Sequence, residues 1–186
     1  ALGAEATFVA RTIDSDRKHL TAVLSAAAAH RGTSLVEIYQ NCPIFNDGAF
    51  DAIKGADTKA DAIIPLEHGQ PIRFGNPDSS GQGAKGLIRD TETGGVKVAL
   101  VADVGEDAIL VHDARNPDPT LAFAISRLTD AGYLHQAPIG IFRQVERPTY
   151  DDQARAQVAT AHQAATGSPT ERLAALIGGG DTWTVV

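Results

Sequence analysis

A change of hydrophobic period within residues 6–39 constrains this fold more than any other feature of the chain. Ala6-Thr7-Phe8-Val9-Ala10 is a short apolar run of strand length. Asp14-Ser15-Asp16 follows, with side-chain oxygens suited to cap a helix that starts near Arg17. Leu20, Val23, Leu24 and Ala27 then recur at helical spacing, and Arg31-Gly32 supplies a basic last turn and a residue suited to a left-handed cap. Ser34-Leu35-Val36-Glu37-Ile38-Tyr39 returns to the β-branched and aromatic content of a strand. The stretch therefore predicts a β-α-β unit with parallel strands and a right-handed crossover, which puts the chain in the α/β class. Ligands of open parallel sheets gather beyond the carboxyl ends of the strands. Cys42 stands there, three residues past Tyr39.

The middle third is punctuated by Gly and Pro. Ile63-Ile64-Pro65-Leu66 and Pro71-Ile72-Arg73-Phe74 predict a hairpin turning near Gly69. Lys85–Arg89 and Val96–Val101 flank the turn signal Glu92-Thr93-Gly94-Gly95, and Ala108–Val111 has the composition of a strand buried on both faces. The polar run Asn76–Gly83 reads as an exposed loop. From Asp118, the residues Leu121, Ala122, Ile125 and Leu128 lie at helical spacing, with Gly132 near the stop. Pro138–Phe142 is extended in character. Tyr150–Ala165 and Thr170–Ile177 are alanine-rich helix candidates separated by Gly167-Ser168-Pro169, and Trp183-Thr184-Val185-Val186 forms an apolar tail suited to docking.

Composition excludes several classes of function. With 43% hydrophobic and 21% charged residues, the 186-residue chain has ordinary globular usage, and no apolar run approaches the ~20 residues that span a bilayer. A net charge of −7 repels phosphate backbones, so neither membrane nor nucleic acid is expected as a partner. A single cysteine rules out an internal disulfide framework and, without a visible signal peptide, favours a cytoplasmic location. The alanine-rich opening Ala1-Leu2-Gly3-Ala4-Glu5 reads as the end of an interrupted helix, which places the expected amino terminus upstream.

Chemistry concentrates in Gln40-Asn41-Cys42-Pro43-Ile44-Phe45-Asn46-Asp47-Gly48. An isolated cysteine is commonly an inert core residue, but a thiolate in a loop after a parallel strand is suitably exposed to bind iron-sulfur iron. Such a cluster usually takes about four thiolates, so Cys42 would be one of them. Gly81-Gln82-Gly83-Ala84-Lys85-Gly86 matches a dinucleotide glycine pattern but follows no strand, and a Rossmann reading is rejected. The six histidines show no metal-ligand spacing. His112-Asp113 reads as a strand end and turn rather than a base for a thiol enzyme. Asp103, Glu106 and Asp107 lack the spacing of a calcium loop.

The stretch Thr33–Asn46 resembles the segment carrying the last cluster-binding cysteine in β subunits of 2-oxoacid:ferredoxin oxidoreductases. Similarity extends from Ala1–Arg11, which resembles the segment after the cofactor site, to Gly140–Tyr150 near the end. Asn41 before the cysteine and Ile44 two residues after it resemble the 2-oxoglutarate branch; many relatives have Pro and Thr there. The resemblance implies the carboxyl-terminal half of such a subunit. Residues 1–48 would complete a thiamine-diphosphate-binding doubly wound α/β domain, and residues 49–186 would form a carboxyl-terminal region that is β-rich and then helical. It further implies a 4Fe-4S cluster, thiamine diphosphate and Mg²⁺, all needing the missing half. Cys42 is the one position carried over as cluster and metal ligand, Asn46 matches a motif residue without an assigned role, and no catalytic residue is named. The implied reaction is oxidative decarboxylation of 2-oxoglutarate with coenzyme A to succinyl-coenzyme A, reducing ferredoxin in complex with an α subunit. A homologue specific for pyruvate or another 2-oxoacid, and a non-catalytic domain that assembles with the α subunit or ferredoxin, are the alternatives; the isolated chain is expected to be inactive.

Overall fold

The computed structural model describes residues 1–76, 83–129, 136–179, 183 and 185. Its elements run β1 (Phe8–Ile13), α1 (Arg17–Ala29), β2 (Ser34–Tyr39), α2 (Asp51–Lys54), α3 (Lys59–Ala62), β3 (Ile63–Leu66), β4 (Arg73–Phe74), β5 (Lys85–Arg89), β6 (Val96–Leu100), α4 (Val101–Val104), α5 (Thr120–Ser126), β7 (Ala137–Gln144), α6 (Tyr150–Ala164) and α7 (Pro169–Gly178). Two compact units result, Ala1–Arg147 and Pro148–Val186.

In the first unit the β-α-β prediction holds. Asp16 caps α1 by accepting the His19 N–H at 2.9 Å, and β1 pairs with β2 in parallel from Phe8↔Ser34 to Ile13↔Tyr39. Among the described residues, β2, β1, β7 and β3 form a sheet in that order, so strands on both sides of residue 48 share it. β7 is antiparallel to β1 and parallel to β3. A second sheet of β4, β5 and β6 is antiparallel, with β5 and β6 joined through the predicted Glu92–Gly95 turn.

Three apolar clusters hold these layers. Phe8, Ala10 and Val23 fill the space under α1. Val9, Leu66 and Phe142 meet Phe74 and Leu87 of the second sheet, together with Ile72 and Ile125. Ile13, Phe50, Ile53, Ala62 and Ile139 form the third cluster, against which Tyr39 packs. Each large side chain so buried contributes about 1.5–3 kcal/mol. Arg143, 1% exposed, ties the unit's opening segment down by donating to the carbonyls of Glu5, Ala6 and Pro117 at 3.2, 2.9 and 2.7 Å.

Several local expectations are corrected. Ile63–Leu66 and Pro71–Phe74 do not form a hairpin: β3 pairs with β7, and β4 pairs with β5. The chain still bends at Gly69 (φ 79°), but the His112 carbonyl accepts the Gly69 N–H at 2.8 Å. Ala108–Val111 is not a strand buried on both faces. Glu106–Ala108 is a short 3₁₀ turn, the next residues bond across to Ile72 and Leu87, and Val111 is 53% exposed. Val101 opens α4 rather than ending β6. His112 is buried and satisfied locally: its Nε2 lies 2.7 Å from the Ile141 carbonyl, which makes that nitrogen the protonated one. The tip of the predicted polar loop, Gly132 and His135 lie outside the described residues.

The second unit is two capped helices. Thr149 and Asp152 form a capping box on α6, as Ser168 and Glu171 do on α7. Pro169 opens α7, and Gly179 closes it in the left-handed conformation. Neither helix buries a residue, and Trp183 and Val185 of the apolar tail are exposed. Its other residues, Thr184 and Val186, lie outside the described set. No helix among the described residues is long and apolar enough to cross a membrane.

Candidate functional site: the Cys42 turn

Parallel pairing with β1 brings β2 to its carboxyl end at Tyr39, and the chain leaves the sheet into a tight turn at Pro43–Phe45. Two asparagines build that turn. The Asn46 side-chain oxygen accepts the Cys42 N–H at 2.8 Å, while the Asn46 N–H donates back to the Cys42 carbonyl at 3.0 Å. Asn41 spans the outer loop, accepting from the Gly48 N–H at 3.0 Å and donating to Asp47 at 2.9 Å. Short polar side chains bonding nearby backbone are well suited to hold such a loop without burial.

The turn is anchored below. Tyr39 stacks on Phe50 with ring centroids 5.0 Å apart, so the last residue of β2 and the buried start of α2 lock together. Lys54 at the end of α2 reaches Asp14 just past β1 at 2.6 Å, and this hydrogen bond holds the Asp14 carboxyl below the usual carboxylate range. Arg11 lies at 5.1 Å from the Tyr39 ring and 5.2 Å from the Phe142 ring, and pairs with Glu37 at 2.7 Å. The turn's base is thus a packed plate rather than a free loop.

Above that plate Cys42 is a free cysteine, half-buried, with Ile44 and Phe45 beside it 82% and 88% exposed. The nearby backbone amides of the turn, Phe45 first and then Ile44, favour the thiolate and hold the thiol below its ordinary range. Donors aimed at a sulfur favour the thiolate, the form that binds metal. Among the described residues no three His, Cys, Asp or Glu side chains gather into a metal site, at Cys42 or elsewhere. The possible base His112 faces Ile141, whereas the groups acting on the thiol are amides of its own turn. Glu106 of the acidic cluster pairs with Arg73. Elsewhere in this unit, a cavity of about 330 Å³ beside α1 is lined by His19, Glu67, His68 and Arg115. No residue of the Cys42 turn lines it.

Sequence reasoning found Cys42 but left Asn46 without a role, and it missed the supports Phe50, Lys54 and Arg11. Asn four residues after Cys42 is a signal for a capped turn. The other three carry no local signal, because their partners Tyr39, Asp14 and Glu37 are 11 to 40 residues away in sequence.

No family model matches the chain. The 2-oxoglutarate oxidoreductase subunit KorB of Mycobacterium tuberculosis is 53% identical over 188 aligned positions, covering all of this chain and 47% of the relative. The 2-oxoacid:ferredoxin oxidoreductase β subunit of Sulfolobus sp. is 40% identical over 47 residues, which are 25% of this chain and 15% of that subunit. In structure, the chain is similar to a 2-oxoglutarate:ferredoxin oxidoreductase from Magnetococcus marinus, solved with 2-oxoglutarate, coenzyme A and succinyl-CoA bound. That match has a TM-score of 0.52 at 22% identity and covers 94% of this chain and 42% of the other, which supports the partial doubly wound α/β fold. The chain spans about half the length of the curated relative it matches throughout. Every residue of the chain lies inside its alignment with the Mycobacterium subunit, so the similarity runs through the whole of the chain.

Proposed function

We propose that this chain is the carboxyl-terminal half of the β subunit of a 2-oxoglutarate:ferredoxin oxidoreductase, and that Cys42 supplies one thiolate to a 4Fe-4S cluster. The observation that carries the reading is Cys42 itself, a free, half-buried cysteine held in a turn three residues past the end of a parallel strand. These residues fit one corner of a cluster. The fit concerns the single thiolate, and the other three ligands, thiamine diphosphate and Mg²⁺ would be held by the other half of the subunit. When bound, such a cluster passes electrons one at a time.

Residues of this chain have two tasks in that reading. Cys42 holds one iron as thiolate, and the neighbouring turn amides of Phe45 and Ile44 favour its charged form, a lever known to tune cluster potential. Asn46 closes the turn that carries the sulfur by accepting the Cys42 N–H. The complete enzyme would convert 2-oxoglutarate and coenzyme A to succinyl-coenzyme A in the cytoplasm, with an α subunit and ferredoxin as partners. Residues 1–48 would complete the thiamine-binding domain and residues 49–186 the carboxyl-terminal region.

Cys42→Ala in the assembled complex tests this. The expected result is loss of bound iron, cluster absorbance and ferredoxin reduction, with the subunits still associated. Full iron content in the variant would refute ligation. An intact cluster combined with a dissociated subunit would instead support a non-catalytic assembly role.

A further inference from the structure

The cavity of about 330 Å³ beside α1 is assembled from distant stretches of the first unit. α1 forms one wall, the end of β3 with His68 and the Ala114–Arg115 pair form the other, and β7 is the floor. Small-molecule sites are mostly apolar, carry a few placed polar groups and start at about 300 Å³. Val23, Leu66 and Ile141 supply the apolar surface here.

The polar groups are held in place from behind. Thr12, fully buried in β1, meets the His19 Nδ1 with its hydroxyl at 2.8 Å, which leaves Nε2 for another partner. The Asp113 carboxylate stands 3.4 Å from the His68 Nδ1 and accepts the Arg115 N–H at 2.9 Å, so it fixes both residues of that wall. The Gln144 N–H donates to the Ala114 carbonyl at 2.6 Å and draws the floor against the same wall. Yet among the described residues the Arg115 guanidinium and the Gln144 side-chain amide have no hydrogen bond or ion pair. Glu67, the one carboxylate in the lining, does not pair with Arg115 either. An arginine is always charged, and its planar fork matches a carboxylate in two parallel bonds.

We propose that this cavity binds a short-chain monocarboxylate, with its carboxylate on Arg115 and its hydrocarbon stem over Val23, Leu66 and Ile141. The Gln144 amide and the His19 Nε2 stand ready as further polar partners for the head. Glu67 sets the charge of the ligand, because a second anionic group in the same cavity would meet like charge. One charged head on an uncharged stem is the form that fits. No residue of the Cys42 turn lines the cavity, so this site does not rest on the thiolate reading.

Saturation-transfer NMR with butyrate on the assembled complex tests the site. Saturable binding is expected with a dissociation constant of about 1 mM, ordinary for so small a ligand, and with the strongest transfer at the terminal methyl. Arg115→Ala should weaken binding about 10–100-fold, the range of a hydrogen bond to a charged group. Glu67→Gln should tighten it about 2–5-fold by removing like charge at a solvated rim. Both side chains are exposed, so both variants should keep the parent's thermal midpoint. Absence of saturable transfer, or equal affinity in the parent and Arg115→Ala, overturns the proposal. So does weaker binding in Glu67→Gln, which would identify a ligand carrying a positive group, or full displacement of butyrate by equimolar inorganic phosphate, which would identify a site without a stem. In Cys42→Ala the butyrate affinity is expected to stay unchanged while iron is lost, so the two assignments fail separately.

Discussion

Gly140→Ala should be among the most damaging single-methyl additions in the first unit. Gly140 lies in β7 opposite Arg11 of β1 and Leu66 of β3, so both neighbours pass it at ladder distance. Its φ is +140°, a conformation that L side chains rarely adopt, and a Cβ there would stand 2.8 Å from the Leu66 Cβ and still closer to the Leu66 carbonyl oxygen. The backbone strain alone costs about 1–3 kcal/mol. Relieving the overlap requires β3 to shift against β7, a further cost of about 1–3 kcal/mol. The midpoint of the sum is about 4 kcal/mol, a large share of the ~5–15 kcal/mol that holds a domain. For a chain of this size the thermal midpoint falls by about 2–4 °C per kcal/mol, so a drop of roughly 8–16 °C is expected by circular dichroism. Gly69→Ala is the control: its φ is +79° with nothing within 4 Å of the added methyl, so it carries strain without overlap. Equal losses in the two variants would refute the close-approach argument.

Two titrations follow. Asn46→Ala removes the acceptor of the Cys42 N–H, and loosening the turn should move the pH of half-maximal Cys42 alkylation upward toward the ordinary thiol value. An unchanged midpoint would mean the amides hold the sulfur without Asn46. His112 is held below its usual pKa, first by burial, so the unfolded chain binds the proton more readily. Its contribution to stability is complete above the unfolded value near 6.5 and is lost as pH falls through the depressed folded value. Urea unfolding from pH 8 to 5 should show this slope, and His112→Gln should flatten it.

The asymmetry between what was legible and what was not follows sequence distance. Asp16, the 3.6 period of Leu20, Val23, Leu24 and Ala27, and the β-branched run to Tyr39 are local signals, and they specified β1, α1 and β2 together with their parallel pairing. The alanine-rich helix after Gly167-Ser168-Pro169 was equally local, although its Ser168–Glu171 capping box emerged only in the structure. Cys42 could be singled out because its place depends only on where β2 ends. Gly69, by contrast, suggested a hairpin, yet β3 instead joined β7, whose register partners lie more than 70 residues away. Ala108–Val111 had strand composition, but Leu110 bonded Leu87 and Ile72, and the His112 N–H that follows found the Gln70 carbonyl. No window of sequence contains both partners of such a choice.

By itself, then, the sequence determined the β-α-β unit, the two C-terminal helices and the thiol-bearing loop, because propensity, capping and periodicity act over a few residues. Only tertiary structure decided that β7 joins β1 to β3 and that Phe50 and Lys54 brace the Cys42 turn. Those outcomes depend on apolar burial and backbone pairing between distant segments, which the chain settles only on folding.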